Sequence, residues 1–333
     1  MVIGRQAVVI GAGMGGLAAA GALAGFFEHV IVLERDELPV VAVDRQGAPQ
    51  GRHNHALLAG GQRALGALFP GFEDDLAGAG AIRLRSNADF YTEFPGYDPF
   101  PQRDLGFDVY SMSRPQIELT ARRRAEGLAN VALRSRCRAR ALEATGRQTG
   151  ARVLGVLFED AQGRTENLPA DLVVDASGRG GLTHDLLEAV GLPQPEETVI
   201  GVDIGYATAV FAVPDDAPTT WRAVLTVPQA AENSRGALLL PLEGGDRWMV
   251  SVGGRYREKP PGDAAGFLDF ARQLRMPTVY NTICNAVRGS VRLRGSPSQR
   301  VSGGISNGWR RSRMGCCHSA MSSADSTRSG GRV

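Results

Sequence analysis

Three glycines, at positions 11, 13 and 16 in the run GAGMGG, have the spacing that carries the clearest chemistry in this chain. An apolar run at 7–10 precedes them, an alanine-rich stretch follows, and a second apolar run at 30–33 ends in Glu34 and Arg35. The order reads as strand, tight turn, helix, strand and acid, the layout of a dinucleotide site. Gly11 allows the turn, and Gly13 lets backbone N–H groups approach a pyrophosphate at the helix N-terminus. Gly16 lets helix and strand pack closely, and Gly15 completes the same loop. Glu34, 23 residues after Gly11, is placed to accept hydrogen bonds from a ribose. With 43 glycines in the chain the triplet alone would be weak evidence, so the flanking strand, helix and acid carry the reading.

Other chemistry-bearing side chains give less. Cys137, Cys284, Cys316 and Cys317 show neither a paired framework nor a CxxC spacing, which argues against zinc and structural disulfides. His53 and His55 form a His-x-His pair, but no carboxylate cluster lies near them in sequence and no metal is expected. No His, Asp or Glu between 199 and 252 is singled out by spacing as a catalytic acid or base.

The elements that must position these residues follow from pattern. Beyond Glu34 a polar loop runs to Gly51, and leucines 57, 58, 65 and 68 predict a helix over 54–69 ending at Pro70-Gly71. Alternation predicts strands near 82–94 and 108–112, and Arg114-Pro115 opens a helix to residue 128. Strands are expected at 131–135, 139–144, 153–159 and 165–168. A buried-strand pattern at 170–175 ends in Asp175 and a glycine turn containing Gly178, then a helix to residue 190. Over 199–252 alternation returns, with Tyr206, Phe211, Trp221 and Trp248 assigned to strands of another sheet. Helices are predicted at 263–274 and 278–287.

A chain of 333 residues, 43% apolar, can bury one large core or two smaller ones. No apolar run reaches the ~18 residues needed for a bilayer span, and a cytoplasmic protein is expected. The net charge of +2 is uneven: 294–333 carries seven arginines against Asp325 alone. Lys259 is the only lysine, so the basicity reflects arginine usage rather than a nucleic-acid surface, and no nucleic-acid partner is expected.

Three segments together resemble the single-FAD-domain flavoprotein monooxygenases, the aromatic hydroxylases and the epoxidases of polyketide and isoprenoid olefins. They are GAGMGG with Glu34-Arg35; residues 49–58, PQGRHNHALL, with LFPG at 68–71; and residues 171–180, DLVVDASGRG. The resemblance covers about 1–293. It implies an α/β fold: a Rossmann-like FAD-binding domain of glutathione-reductase type over 1–195, with a strand-containing insertion around 80–110. An interleaved mixed β-sheet substrate domain follows over 196–293.

The resemblance further implies FAD as cofactor, NAD(P)H as electron donor, and O2 and an apolar small molecule as substrates for hydroxylation or epoxidation through a flavin C4a-hydroperoxide. The cofactor-binding set it implies is Gly11, Gly13, Gly15, Gly16, Glu34, Arg35, Arg52, Arg114, Asp175 and Gly178. For Arg52 and Arg114 the alternative is a solvated or salt-bridged surface residue. A flavin halogenase is disfavoured: Lys259 lies in a Glu-Lys-Pro-Pro loop, and Trp248 has no Trp-x-Trp partner. A flavin-dependent prenyl reductase shares the nucleotide motifs and stays open, as does a non-catalytic nucleotide-binding remnant.

Beyond residue 293 the pattern fails. Residues 294–333 hold ten serines, seven glycines and no apolar periodicity, the composition of a disordered extension. The family places a second FAD motif here, a Gly-Asp pair followed by Asn-Pro and a glycine turn, and it is absent from this frame. Read one base out of register, residues 314–333 permit GLLPFGDVVCRFNPVWGPG, which contains both pairs in that order, and 304–309 permit HFERM. The expectation is a one-base deletion or sequencing error near Arg294 that removes the ribityl-binding Asp and weakens FAD binding.

Overall fold

The structure is a computed structural model that describes residues 2–178, 180–196, 198–201, 203–229, 232–288, 304–307 and 316–318. Strand β1 (Gly4–Ile10) is apolar in its second half because both of its faces are buried, Ala7 and Val9 in the core that holds Leu17 and Ile117, Val8 and Ile10 in the core that holds Val156 and Phe158. It turns at Gly11 into α1 (Met14–Ala24), then β2 (Phe27–Leu33) lies parallel to β1 with Ile10 opposite Leu33. The acid expected after this strand, Glu34, sits just beyond its C-terminal end.

The next stretch departs from expectation. Residues 53–58 are extended rather than helical, forming a short β3 (Ala56–Leu57), and the helix α2 (Ala59–Leu68) starts only at Ala59. The cause is polar: Asn54 and His53 direct their side chains to another sheet, which holds the backbone out of helical register. A second helix, α3 (Phe72–Gly78), follows Gly71 in the left-handed conformation and buries Phe72 and Leu76; its short pattern had no separate signal.

The expected strand over 82–94 is two strands in different sheets. β4 (Ile82–Arg85) pairs antiparallel with β6 (Asp108–Ser111), whereas β5 (Phe90–Glu93) joins the edge of the second large sheet. The turn between them contains Asn87 at φ 61°, a conformation asparagine tolerates well. Helix α4 (Arg114–Glu126) has Ser113 as N-cap, whose hydroxyl accepts from the Gln116 N–H, and Pro115 in its first turn.

A meander of β8 (Arg138–Thr145), β9 (Arg152–Glu159) and β10 (Thr165–Pro169) follows β7 (Val131–Arg134), which pairs parallel with β2. Then β11 (Leu172–Asp175) returns beside β1, and α5 (Gly181–Val190) covers it. The second large sheet comprises β13 (Ile204–Ala212), β14 (Ala223–Thr226), β15 (Gly236–Pro241), β16 (Arg247–Arg255) and β5, in the order β13-β16-β15-β14-β5. Trp221 packs against Trp248 from just before β14 rather than within a strand. Helices α6 (Ala264–Arg272) and α7 (Thr278–Arg288) seal one face of this sheet through Phe267, Phe270, Val279 and Ile283 against Phe211, Val250 and Val252. Each such burial contributes about 1.5–3 kcal/mol.

Within the segment expected to be disordered, two stretches are described. Gly304–Asn307 pairs antiparallel with β12 (Thr198–Gly201), and Cys316–His318 pairs parallel with β11, completing the order of the parallel sheet. The rest of 294–333 lies outside the described residues, as does Arg179.

Candidate functional site

The glycine loop is built as its sequence suggests. Gly11 has φ 99°, and a Cβ there would stand 2.7 Å from the Ala176 carbonyl oxygen. At Gly16 a Cβ would fall 1.8 Å from the Gly11 carbonyl oxygen, so no other residue allows α1 to lie this close to the turn. Gly13 is different. It is the N-cap of α1 with extended backbone, and a Cβ there would meet nothing nearer than the Arg45 Nη2 at 4.0 Å. Gly15, in the first turn, is half-buried, and that turn holds no acidic side chain to compete for the helix N–H groups.

Glu34 is buried and engaged. Its Oε2 accepts the Ala12 N–H at 2.7 Å and its Oε1 the Asp36 N–H at 3.0 Å, which ties the glycine loop to the end of β2. A carboxylate has about four lone-pair directions, so Glu34 keeps acceptor capacity for a ribose hydroxyl. Arg35 beside it points to solvent and pairs with Asp36 at 3.8 Å.

The residue that pattern reading missed is Arg45. Its guanidinium donates to Glu118 at 2.6 Å, to Asp36 at 3.2 Å and to the Ala12 carbonyl at 3.2 Å, and lies 3.2 Å from Glu34. Burial works against its charge, but the hydrogen bond and charge of Glu118 and the charges of Glu34 and Asp36 outweigh that and raise its pKa. Nothing local marks it, because its partners are drawn from the glycine loop, the loop after β2 and α4.

Arg114 opens α4 on the same side. Its Nε is buried without a hydrogen-bond partner, and so is the Glu118 Oε2 one turn on. Burial lowers the Arg114 pKa, with Glu118 opposing and Arg45 adding to the shift. A buried guanidinium nitrogen left unpaired costs free energy that an anion would recover. Arg52, by contrast, lies exposed at the rim, 3.9 Å from Asp44.

Asp175 and Gly178 form the opposite lip. Asp175 is fully buried at the end of β11, accepting the Ser177 N–H at 3.0 Å and the Thr183 hydroxyl at 2.9 Å, so it fastens the turn to α5. Gly178 is exposed at φ 88°. The two histidines of the His-x-His pair bond different partners: His53 Nδ1 bonds the Thr208 hydroxyl at 2.7 Å, whereas His55 Nε2 bonds the Gln50 carbonyl at 2.8 Å. Both histidines are held below their ordinary pKa, chiefly by burial. A separate open cleft of about 690 Å³ is lined by Arg83, Arg85, Asp89, Asp108 and Arg222, where Arg83 pairs with Asp108 and Arg85 with Asp89.

Gly13 at a clear helix N-terminus, the unpaired Arg114 Nε and the buried Glu34 fit the ADP portion of a dinucleotide: donors for two phosphates and an acceptor for a ribose. Comparison with solved structures identifies the fold. The chain superposes on PqsL, a probable FAD-dependent monooxygenase from Pseudomonas aeruginosa, with TM-score 0.61 and 19% identity, covering 88% of this chain and 73% of that one. It matches 2-methyl-3-hydroxypyridine-5-carboxylic acid oxygenase with TM-score 0.65 and 16% identity, over 95% and 74% of the two chains. The flavin-dependent brominase Bmp2 gives 0.64 and 15%, over 95% and 71%.

The chain has the fold that these three structures share. By sequence the chain is 35% identical over 264 residues to Protein Rv3254 of Mycobacterium tuberculosis (strain ATCC 25618 / H37Rv), a match covering 77% of this chain and 54% of that protein. It thus spans about half the length of that relative. No family model matches.

Proposed function

We propose that this chain is an FAD-dependent monooxygenase that uses NAD(P)H to insert one oxygen atom of O2 into an apolar small molecule, by hydroxylation or epoxidation. The observation that carries the reading is the buried, unpaired Nε of Arg114, beside Glu118 and the Arg45 that bonds the glycine loop at the Ala12 carbonyl, together with the fold. When bound, FAD supplies the reductive activation of oxygen, a chemistry for which the protein needs no nucleophile.

The chain's own residues bind and shield. The N–H groups at Met14 and Gly15 and the Arg114 guanidinium hold the pyrophosphate, and Glu34 accepts from the ribose. Arg45 does not touch the ligand in this scheme; it neutralises Glu34, Asp36 and Glu118 and so keeps Glu34 correctly placed. Asp175 fixes the turn that carries Gly178. The sheet of β13–β16 supplies an apolar wall that excludes water and seats the substrate. Arg52 at the rim and Arg35 in solvent are assigned outer contacts to the cofactor.

The purified full chain, titrated with FAD, quenches flavin fluorescence saturably, and ADP displaces the flavin whereas FMN does not. Arg114→Ala weakens both FAD and ADP by about tenfold, the value of one charge-assisted hydrogen bond. With excess FAD, NADPH stimulates oxygen uptake. Indifference to FAD and ADP sinks the reading, and anaerobic saturation of a prenyl double bond assigns a reductase instead.

A further inference from the structure

The second large sheet ends in two unlike edges. At one, β5 is four residues long, closes in Glu93 and is crossed by the loop that follows it, whose Phe100 N–H donates to the Thr92 carbonyl at 3.0 Å. At the other, β13 runs for nine residues, IGYATAVFA, and among the described strands pairs with β16 alone. The bonds just beyond this pair fix which backbone groups face outward. The Tyr256 N–H donates to the Asp203 carbonyl and the Val213 N–H to the Asp246 carbonyl, so positions 205, 207, 209 and 211 exchange bonds with β16. The N–H and C=O groups of Thr208, Val210 and Ala212 therefore point away from the sheet, and no described residue takes them. Edge strands are ordinarily protected by a charge, a proline or a bulge. β13 has none of these.

Charge distinguishes the two ends of this edge. Beyond Ala212, Asp215 and Asp216 are exposed and form no ion pair among the described residues, since the nearby Arg247 is taken by Glu243 and Asp246. Beside Ile204, its register partner Arg255 and the following Arg257 are exposed and likewise without an ion pair among the described residues. The carboxylates there are already engaged: Asp203 pairs with Lys259, and Glu258 binds Ser234 and Arg235. One end of β13 is thus acidic and the other basic.

We propose that β13 is the contact by which two copies of this chain join, strand against strand and antiparallel about a two-fold axis, so that their two sheets become one. With Val210 at the axis, Val210 pairs with Val210, and Thr208 of each copy pairs with Ala212 of the other. Every open position is then used. The same arrangement sets Asp215 and Asp216 of each copy toward Arg255 and Arg257 of the other, whereas parallel pairing would set like charge on like. The edge is therefore complementary to its own reverse, which is what a two-fold contact between identical chains requires. Backbone bonds supply the pairing and the end charges its direction. Neither the glycine loop nor Arg114 takes part, so the contact stands or falls without the cofactor reading.

Sedimentation of the full chain is expected to show a concentration-dependent rise to twice the mass of one copy. Hydrogen exchange resolved to single amides reads the edge itself. The amides of Thr208, Val210 and Ala212 slow at least about tenfold as the dimer forms, while those of Ala207, Ala209 and Phe211 are slow at every concentration. A chain with Asp215→Arg and Asp216→Arg, and another with Arg255→Asp and Arg257→Asp, each self-associate at least about tenfold more weakly, because both ends then carry one sign. Mixed in equal amounts, the two variants recover the dimer to within about threefold of the unaltered affinity. A chain that stays single at about 0.5 mM overturns the proposal, as does a dimer in which the Thr208, Val210 and Ala212 amides exchange freely. Slow exchange of those amides in the single copy would assign the edge to another segment of this chain and overturns it as well. If a charge variant fails to fold, exchange in the unaltered chain still decides.

Discussion

Arg45 and the histidines show how single side chains set the stability of this site. The Arg45 guanidinium is the cation shared by Glu34, Asp36 and Glu118, with side-chain exposures of 9%, 6%, 15% and 11% for the four groups. Removing it leaves three carboxylates facing one another with little water. Arg45→Met is expected to destabilise the chain by about 3–5 kcal/mol, the cost of breaking a buried ion pair from one side. Urea unfolding at neutral pH measures this, and a change below about 1 kcal/mol would show that the cluster relaxes into solvent. His53 and His55 give a second expectation. Both have pKa values lowered on folding, so the unfolded chain binds more protons. Stability is therefore complete above the unfolded value near pH 6.5 and declines as the pH falls below it. The double variant His53→Gln, His55→Gln should flatten the dependence of the urea midpoint between neutral and mildly acidic pH.

At the scale of elements, the start of α4 joins the two halves of the molecule. Ser113 caps the helix, and its N–H and hydroxyl also donate to Glu243 at 2.7 and 3.0 Å, beyond the end of β15. Ser111 donates to the Pro241 carbonyl at 2.6 Å. Arg114 follows directly, so the direction of its guanidinium depends on this cap. Ser113→Ala is expected to cost about 1 kcal/mol of stability, the usual value of an N-cap, and to weaken ADP binding without any direct contact. Thermal unfolding and ADP displacement of FAD test the two effects together, and weaker unfolding resistance with unaltered ADP affinity would confine Ser113 to a structural role. The same elements show what the sequence could reveal. The glycine loop, Glu34 and the β11 turn were legible because their chemistry is local, set within a strand, a turn and a helix. Arg45 was not, because the polar loop before Gly51 has no periodicity and Glu118 lies 73 residues away. The pairing of His53 with Thr208 spans 155 residues, and it also explains why the leucines after His55 did not make the helix begin at residue 54. The split of 82–94 between two sheets was hidden for a similar reason: alternation fixes faces but not partners.

At the scale of the whole molecule, the residues described gather one half of the proposed cofactor site, the half assigned to ADP. The parallel sheet has the order β18-β11-β1-β2-β7, where β18 is Cys316–His318, next to the strand that ends in Asp175. Ligands of such sheets bind beyond the C-terminal ends of the strands. In the frame given, Ser-Ala-Met-Ser-Ser follows residue 318, with no carboxylate until Asp325. In the shifted frame the Gly-Asp pair arises from the codons of residues 319–321, directly after this strand, and Asn-Pro follows a few residues on. A chain carrying GLLPFGDVVCRFNPVWGPG in place of 314–333 is expected to bind FAD at least about tenfold more tightly, the value of one carboxylate hydrogen bond to a ribityl hydroxyl. ADP affinity should be the same in both chains, since the glycine loop, Glu34 and Arg114 are unaltered. Gel filtration with stoichiometric FAD distinguishes them: the replaced chain emerges yellow and the present one is stripped. Equal retention would mean that this tail already completes the site, and sequencing of the locus through residue 294 would then find the present frame intact.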